Sequence, residues 1–554
     1  MRRFLLLFVL LLPLVGARPA VAKDELTIGT TQAPGTMNPL IGSMLAKSLI
    51  LNMTQRPVTA YDANWNLVCL LCTGLPTIEN GKARLVDLPP DDKGIVRKGI
   101  ETDYELKPFV WGDGTPLTTK DIAFTIDVGK HPLSGVSSGE AYRRIVKFTA
   151  HDDRRFTVTN DRVTWDYSGF DMSILPAHIE KPIFDANPAE YRNRTAYDTQ
   201  PTNPGLAFGP FRIVELVPGN RIALEANPTW TGQKPFFRRI VIKIIESTAA
   251  LEANMLSGNV DYVFGELGLS LDQALTFEKR HKDKYNVIFK PALIYEHIDV
   301  MLDNPFLGDR RVRQAILMAI DRKAFSDKLF DGKQPVAEGD ISPLDPMYSK
   351  ATRQYAYDPA TAKKLLDEAG FSKMQAGFRT NEAGQRFSIE ITTTAGNRVR
   401  EQVAQVIQSQ LRQVGIELRI KAEPPRIFSE ALNHRAFTGL AMYAWVQRPQ
   451  GVPRTTLHSD EIPTAKNGWS GQNYPGYVNP AMDKALDQAE REIDEGKRRG
   501  FFAEIQKLYA DDLPALPMYF RVDPFVLPRP LKGVVPTGHL NSTTLWVEQW
   551  KWEQ

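Results

Sequence analysis

The pentapeptide Gly135-Val136-Ser137-Ser138-Gly139 has the Gly-x-Ser-x-Gly spacing of a nucleophile elbow, in which a tight strand-to-helix turn presents a serine hydroxyl to an acyl carbon. That chemistry needs a strand directly before the turn. Residues 118–128 read as a helix instead, with Thr118 and Asp121 at capping-box spacing and Ile122 and Ile126 on one face. His131-Pro132 then opens a loop, so a secreted serine hydrolase using Ser137 stands only as the alternative from a different functional class. Phosphate-binding loops are excluded on spacing. Gly81-Lys82, Gly129-Lys130, Gly332-Lys333 and Gly496-Lys497 all lack the Ser or Thr that follows the lysine of a P-loop. The eight histidines are scattered, and none stands at metal-ligand spacing from Cys69 or Cys72. The residues therefore assign no catalytic group, metal ligand or cofactor, and the chain is expected not to be an enzyme.

Cys69 and Cys72 lie at the end of the apolar run that begins at Leu67. Without histidine partners or a redox-type helix start, the pair reads as a structural disulfide or two buried thiols rather than a thioredoxin-type site or half a zinc site. The compartment is legible at the other end. Arg2 and Arg3 precede an apolar run from Phe4 to Gly16, and Ala20-Val21-Ala22 supplies small residues before Lys23. Residues 1–22 thus read as a cleaved secretory signal peptide, its apolar run being too short to span a bilayer. No cysteine stands directly after that cleavage site, so a periplasmic protein without a lipid anchor is expected, not a lipoprotein.

The 554 residues are 42% hydrophobic, 24% charged and 10% aromatic, an ordinary globular composition sufficient for three or four domains. Loss of Arg2, Arg3 and Arg18 with the leader takes three from the 68 basic residues and leaves the chain formally neutral against 65 acidic ones. A nucleic-acid partner is not expected from that balance.

The elements that must position any site are clear in the second half. From Phe387, FSIEITTTA alternates like a strand; Val399, Val403, Val406, Ile407 and Val414 share a helical face; Ile416, Leu418 and Ile420 alternate again. This is a βαβ unit whose helix stops at Gly415, and a right-handed crossover lays its strands parallel. Further helices are expected after Asp309, from Asp358-Pro359 to Gly370, and after Asn479-Pro480. Earlier, Phe211–Ile213 and Ile222–Glu225 flank a Pro218-Gly219-Asn220 turn as a hairpin, Ile240, Ile242 and Ile244 alternate, and a helix runs from Ser247 to Ser257. Residues 185–204 read as a loop-dominated connection.

Several ordered segments carry a resemblance. VWGDGTPLTTKDIAF from Val110, ILPAHI from Ile174, FGPFRIVELVPGNRIALEANPTW from Phe208, DRRVRQAILMAIDR from Asp309, YDPATAKKLLDEAGF from Tyr357 and NYPGYVNPAMDKALDQA from Asn473 resemble the successive signatures of the family 5 bacterial extracellular solute-binding proteins, the peptide, dipeptide and nickel receptors of ABC importers. The resemblance covers essentially the whole chain after residue 22. It implies an α/β, two-lobed periplasmic-binding-protein clamshell (type II, cluster C) with an additional domain. Lobe I combines residues 23–61, 203–295 and 523–554; the additional domain is 62–202; lobe III is 296–522, with crossings near Tyr295 and Tyr519. It also implies a monomer that captures peptides or peptide-like solutes by lobe closure and delivers them to membrane permease subunits.

In peptide-binding members an Asp three residues after a cleft Trp commonly pairs with the ligand ammonium. Here Trp445 is followed by Val446, Gln447 and Arg448. A guanidinium in that place repels an ammonium and favours a carboxylate or phosphate, which motivates an alternative: a receptor for an anionic, opine-type or sugar-phosphate-type solute. Trp445, Arg448 and Tyr443 are the ligand-contact candidates on this carry-over. Tyr519, Tyr474 and Gln32 complete the set, with packing as their ordinary reading.

Overall fold

The computed structural model describes residues 23–90 and 94–553; the expected leader, residues 1–22, lies outside them. The alternation expected at Ile240, Ile242 and Ile244 forms the strand Arg239–Ile244, which pairs in parallel with Glu25–Thr30. The hairpin Phe211–Val217/Arg221–Ala226 extends this sheet on one side, and Tyr262–Val263 closes it on the other. Gly219 holds the hairpin turn at φ 67°, the left-handed region that a residue without a β-carbon enters freely.

A second five-stranded sheet contains the βαβ unit. Ser388–Thr394 and Glu417–Glu423 pair in parallel across the helix Arg398–Gln413, and Gly415 beyond that helix adopts φ 86°. Val403, Ile407 and Leu411 bury the inner face of the helix completely. The other strands of this sheet are Leu440–Val446, the 16-residue Tyr285–Val300 and the 14-residue Ala515–Pro528. The last two run antiparallel through both expected crossings, with the register shifted between Pro291 and Tyr295 and again between Glu296 and His297. An antiparallel four-stranded sheet, Ala83–Asp87, Lys98–Glu105, Arg155–Asn160 and Ile145–Ala150, lies in the 62–202 segment.

Two large hydrophobic bodies stand out, besides three smaller clusters among the described residues. Leu26, Trp111, Phe156, Tyr191, Phe211 and Trp550 belong to one continuous core, so the 62–202 segment shares its interior with the first sheet. Ile298, Ile316, Ile391, Ile407 and Met518 form the core of the other body. The small hairpin Thr59–Tyr61/Leu67–Cys69 straddles residue 62. Cys69 and Cys72 are joined in a disulfide with their Cα atoms 5.1 Å apart.

The expected caps form. Thr118 and Asp121 make a reciprocal capping box at the start of the helix Thr119–Lys130, and Asp309, Asp358 and Asn479 each accept a backbone N–H at the starts of Arg310–Met318, Pro359–Glu368 and Pro480–Arg491. The 185–204 segment differs from the loop-dominated reading. It folds into successive helical turns because Tyr191 and Tyr197 are buried and the Glu180 carboxylate accepts the Ala196 N–H at 2.8 Å.

Candidate functional site

A cavity of about 610 Å³ lies where the two bodies meet. Its first wall is the helix Leu45–Thr54, presenting Ser48 and Asn52 at an i, i+4 spacing, together with residues 136–145 and 164–173. The second wall comes from the long strand and its neighbour. Tyr295, His297 and Asp299 alternate on one face of Tyr285–Val300 and all three line the cavity. Trp445 pairs across the sheet with Tyr295, and the chain continues past it into the cavity-lining residues Val446, Gln447 and Arg448.

Of the residues singled out from sequence, Trp445 and Arg448 line the cavity. Arg448 does not present an unmet charge there: its Nη2 donates to Asp166 Oδ2 at 2.6 Å, from the opposite wall. Burial opposes ionisation of Asp166, but the Arg448 and Arg144 guanidinia overcome it and hold the carboxyl at about 2. Tyr443 stands behind Trp445, buried, donating its hydroxyl to Asp299 Oδ2 at 2.5 Å. Tyr474 stacks on Trp445 with ring centroids 5.9 Å apart and donates to Asn433 Oδ1. Neither tyrosine lines the cavity: Tyr443 packs against His297 of the paired strand, ring centroids 4.5 Å apart, and Tyr474 packs against Trp445 from a loop. Tyr519 is buried against Phe330 at 4.8 Å, and Gln32 lies outside the cavity beyond the end of the first strand. These four positions support Trp445 or pack elsewhere.

Ser137 also lines the cavity, in the loop between the helix Thr119–Lys130 and the short turn Glu140–Arg143. Its hydroxyl oxygen accepts the Gly42 N–H at 2.5 Å, and among the described residues no histidine or carboxylate is hydrogen-bonded to it. The strand that a nucleophile elbow requires is replaced by a helix.

Sequence reasoning missed the charged rim that joins the two walls. Glu140 accepts from Arg144 at 2.8 Å, Arg144 reaches across to Glu490, and Arg162 and Arg454 approach the same two glutamates. Arg143 pairs with Glu461 at 2.9 Å, Trp165 N–H donates to the Glu490 carbonyl at 3.0 Å, and Gln472 donates to Ser43 Oγ at 3.0 Å. Burial opposes the charge on Arg144, but Glu490 and Glu140 reverse that and raise its pKa. Buried ion pairs of this kind break roughly even against desolvation. They fix the register in which the walls meet rather than driving the meeting. The Tyr-x-His-x-Asp alternation at residues 295–299 was the one readable signal for the polar wall; nothing in the sequence pairs Arg144 with Glu490.

Among the described residues no group of three or more His, Cys, Asp or Glu side chains is placed to hold a metal ion. The volume of the cavity, about 610 Å³, falls within the range of about 300–1,000 Å³ of small-ligand sites.

Comparison with known proteins agrees with this architecture. The profile of the bacterial extracellular solute-binding proteins, family 5 Middle, matches residues 99–462. The chain is 26% identical over 521 residues, 92% of this chain and 88% of the other, to the oligopeptide-binding protein AppA of Bacillus subtilis. An oligopeptide-binding protein of Thermus thermophilus, solved with a pentapeptide, superposes with a TM-score of 0.87 at 29% identity over 96% of both chains. The structure of Bacillus subtilis AppA with a nonapeptide shares the fold at a TM-score of 0.84 and 24% identity, over 96% of this chain and 99% of that one. With its two lobes, its cavity between them and a profile match over most of its length, the chain belongs to the bacterial extracellular solute-binding proteins, family 5.

Proposed function

We propose that this protein is the periplasmic receptor of an ABC importer, exported by a leader cleaved before Lys23, and that it captures peptides or peptide-like solutes between its lobes and delivers them to the membrane permease. The observation that carries this reading is the 610 Å³ cavity walled by both bodies. A ligand there touches both walls only when they are closed, so it binds the closed state selectively and shifts the population toward it. The shifted registers near Pro291–Tyr295 and Glu296–His297, in the paired strands that link the bodies, are the hinge on this reading. The division into lobe I, the 62–202 domain and lobe III is retained, the first two moving together because they share a core.

Peptide is preferred over an anionic solute because Asp166 already meets the Arg448 guanidinium. The similarity to oligopeptide-binding proteins of two organisms supports the same class. The protein acts as a monomer and performs no covalent chemistry.

A thermal-shift screen of the chain from Lys23 against di- to octapeptides, opines, amino acids, sugar phosphates and divalent metals tests this. A ligand at 100 times its Kd adds about 2.7 kcal/mol of stability. Stabilisation by peptides is expected, with the peptides recovered intact and no fluorophosphonate adduct on Ser137. Stabilisation by anionic solutes alone, abolished by Arg448→Asp, would transfer the protein to the anion-binding alternative.

A further inference from the structure

The charges around the cavity are not balanced. Six carboxylates line it against four cationic side chains, and each of the four is already engaged. Lys47 Nζ donates to the carbonyls of Asn38, Ile41 and Gly42. Arg144 is held by Glu140 and Glu490, Arg448 by Asp166, and Arg454 by Asp487. The unmet charge is negative, and it is concentrated at one place.

Asp340 is only 5% exposed, lines the cavity, and has no hydrogen-bond partner on either carboxylate oxygen among the described residues. A buried ionised carboxylate without a partner is costly, and a protein that keeps one beside a cavity has left a place for a partner to arrive. Its backbone is fixed: Gln447, next to Arg448, donates Nε2 to the Asp340 carbonyl at 2.7 Å. Beside it on the long strand, His297 Nε2 stands 3.3 Å from Asp299 Oδ1 and is itself without a hydrogen bond of good geometry. The Tyr295 and Tyr509 hydroxyls, 2.7 Å apart, complete the corner.

We propose that Asp340, with Asp299 and His297 beside it, forms the subsite that receives a positively charged group of the ligand, an ammonium or a guanidinium. This rests on the reading of the protein as a solute receptor and names the ligand chemistry that the receptor selects. It also reverses what the Trp445–Arg448 spacing suggested: the acidic anchor is present, but it comes from the loop at residue 340 rather than from the residue third after the tryptophan. Burial pushes Asp340 up to about 7, so an arriving cation restores a carboxylate that is partly protonated in the ligand-free protein, and binding releases a proton near neutral pH.

Calorimetric titration at pH 7 tests this with three probes: tetra-alanine amide with a free amino terminus, N-acetyl-tetra-alanine amide, and N-acetyl-Ala-Ala-Lys-Ala amide, each against the full mature chain and against Asp340→Asn. At least one cationic probe is expected to bind the unaltered protein roughly ten- to hundredfold more tightly than the neutral one, as charge-assisted hydrogen bonds do. That preference is lost in Asp340→Asn, and the heat depends on the buffer's ionisation enthalpy. Tighter binding of tetra-alanine amide identifies a terminal ammonium as the occupant; tighter binding of the lysine peptide identifies a side chain. Equal affinity of the unaltered protein for all three, or a preference that survives Asp340→Asn, would overturn the subsite. If no peptide binds, the peptide reading fails separately. The subsite is then judged on the solute that does stabilise the chain: a cation whose effect Asp340→Asn removes upholds it, and a solute without positive charge refutes it.

Discussion

Gly396 and Glu246 approach so closely that a β-carbon on Gly396 would stand 2.0 Å from the Glu246 carbonyl oxygen. Gly396 follows a strand of the second sheet and Glu246 follows a strand of the first, so this contact lies between the two bodies.

Gly396→Ala therefore separates folding from closure. At φ 79° an alanine costs roughly 1–2 kcal/mol of left-handed strain, a modest loss of thermal midpoint. The clash with Glu246 adds a penalty felt only when the lobes meet. Peptide affinity is expected to fall at least roughly tenfold, since a closed state made scarcer lowers apparent affinity in proportion. An unchanged Kd would show that the 246–396 contact is not part of ligand-bound closure.

Arg448→Ala leaves Asp166 buried at the interface without its nearest cation. Breaking a buried pair costs about 3–5 kcal/mol where no water can enter; opening of the lobes relieves it here. Small-angle scattering should report a more extended ligand-free ensemble, and the Kd for peptide should rise by roughly tenfold or more. Asp166→Asn should recover much of that loss in the double variant, a coupling of about 1–3 kcal/mol. Independent, additive effects would contradict a direct pair.

The pH dependence of the ligand-free protein carries the Asp340 signature. Its carboxyl titrates at about 7 when folded against about 3.9 when unfolded, so between those values the folded state holds the extra proton. Stability then falls as pH rises from about 4 to 7 and is level above 7. Burial pushes Glu180 and Glu461 up to about 7 as well, adding slope in the same direction. His539, which burial pushes down to about 4, opposes them with stability lost as pH falls from 6.5 to 4. Comparison with Asp340→Asn isolates one group: the variant should gain on the parent by up to ~1.4 kcal/mol per pH unit within the window, with His297 and Asp299 facing the site in both. A constant difference from pH 4 to 8 would show that Asp340 is ionised throughout.

The disulfide closes only the Cys69-to-Cys72 turn, a sequence separation of 3. Loop-entropy arguments give such a short closure about 2 kcal/mol. Cys69→Ser/Cys72→Ser should melt a few degrees lower and bind peptide as before, since neither cysteine lines the cavity. Lost binding in the folded double variant would tie the turn to the site.

Where a local rule governs, the sequence was readable. The helix at residue 398 and its flanking strands follow from periodicity and from Gly415, and the Thr118/Asp121 cap follows from spacing. The continuous strands through both crossings were less legible, because their bulged registers depend on partners more than 200 residues away. The site divides in the same way. Trp445 is legible only through the family resemblance, and the alternation of Tyr295, His297 and Asp299 is available to a strand reading. Asp340 lies in an irregular stretch with no period, and its significance is the absence of a partner, which only the folded surroundings reveal. Arg448 shows the converse: its residue type suggested an anion, and its partner, Asp166, comes from the opposite wall of the cavity, 282 residues away in the chain.

Hydrogen exchange with and without a saturating peptide from the screen tests the central claim most directly. Capture between lobes predicts simultaneous protection of residues 164–173 on one wall and 444–448 on the other, with protection at 291–297 where the linking strands shift register. Protection confined to one wall, or absent from both while the peptide is bound, would contradict capture by closure of the two lobes.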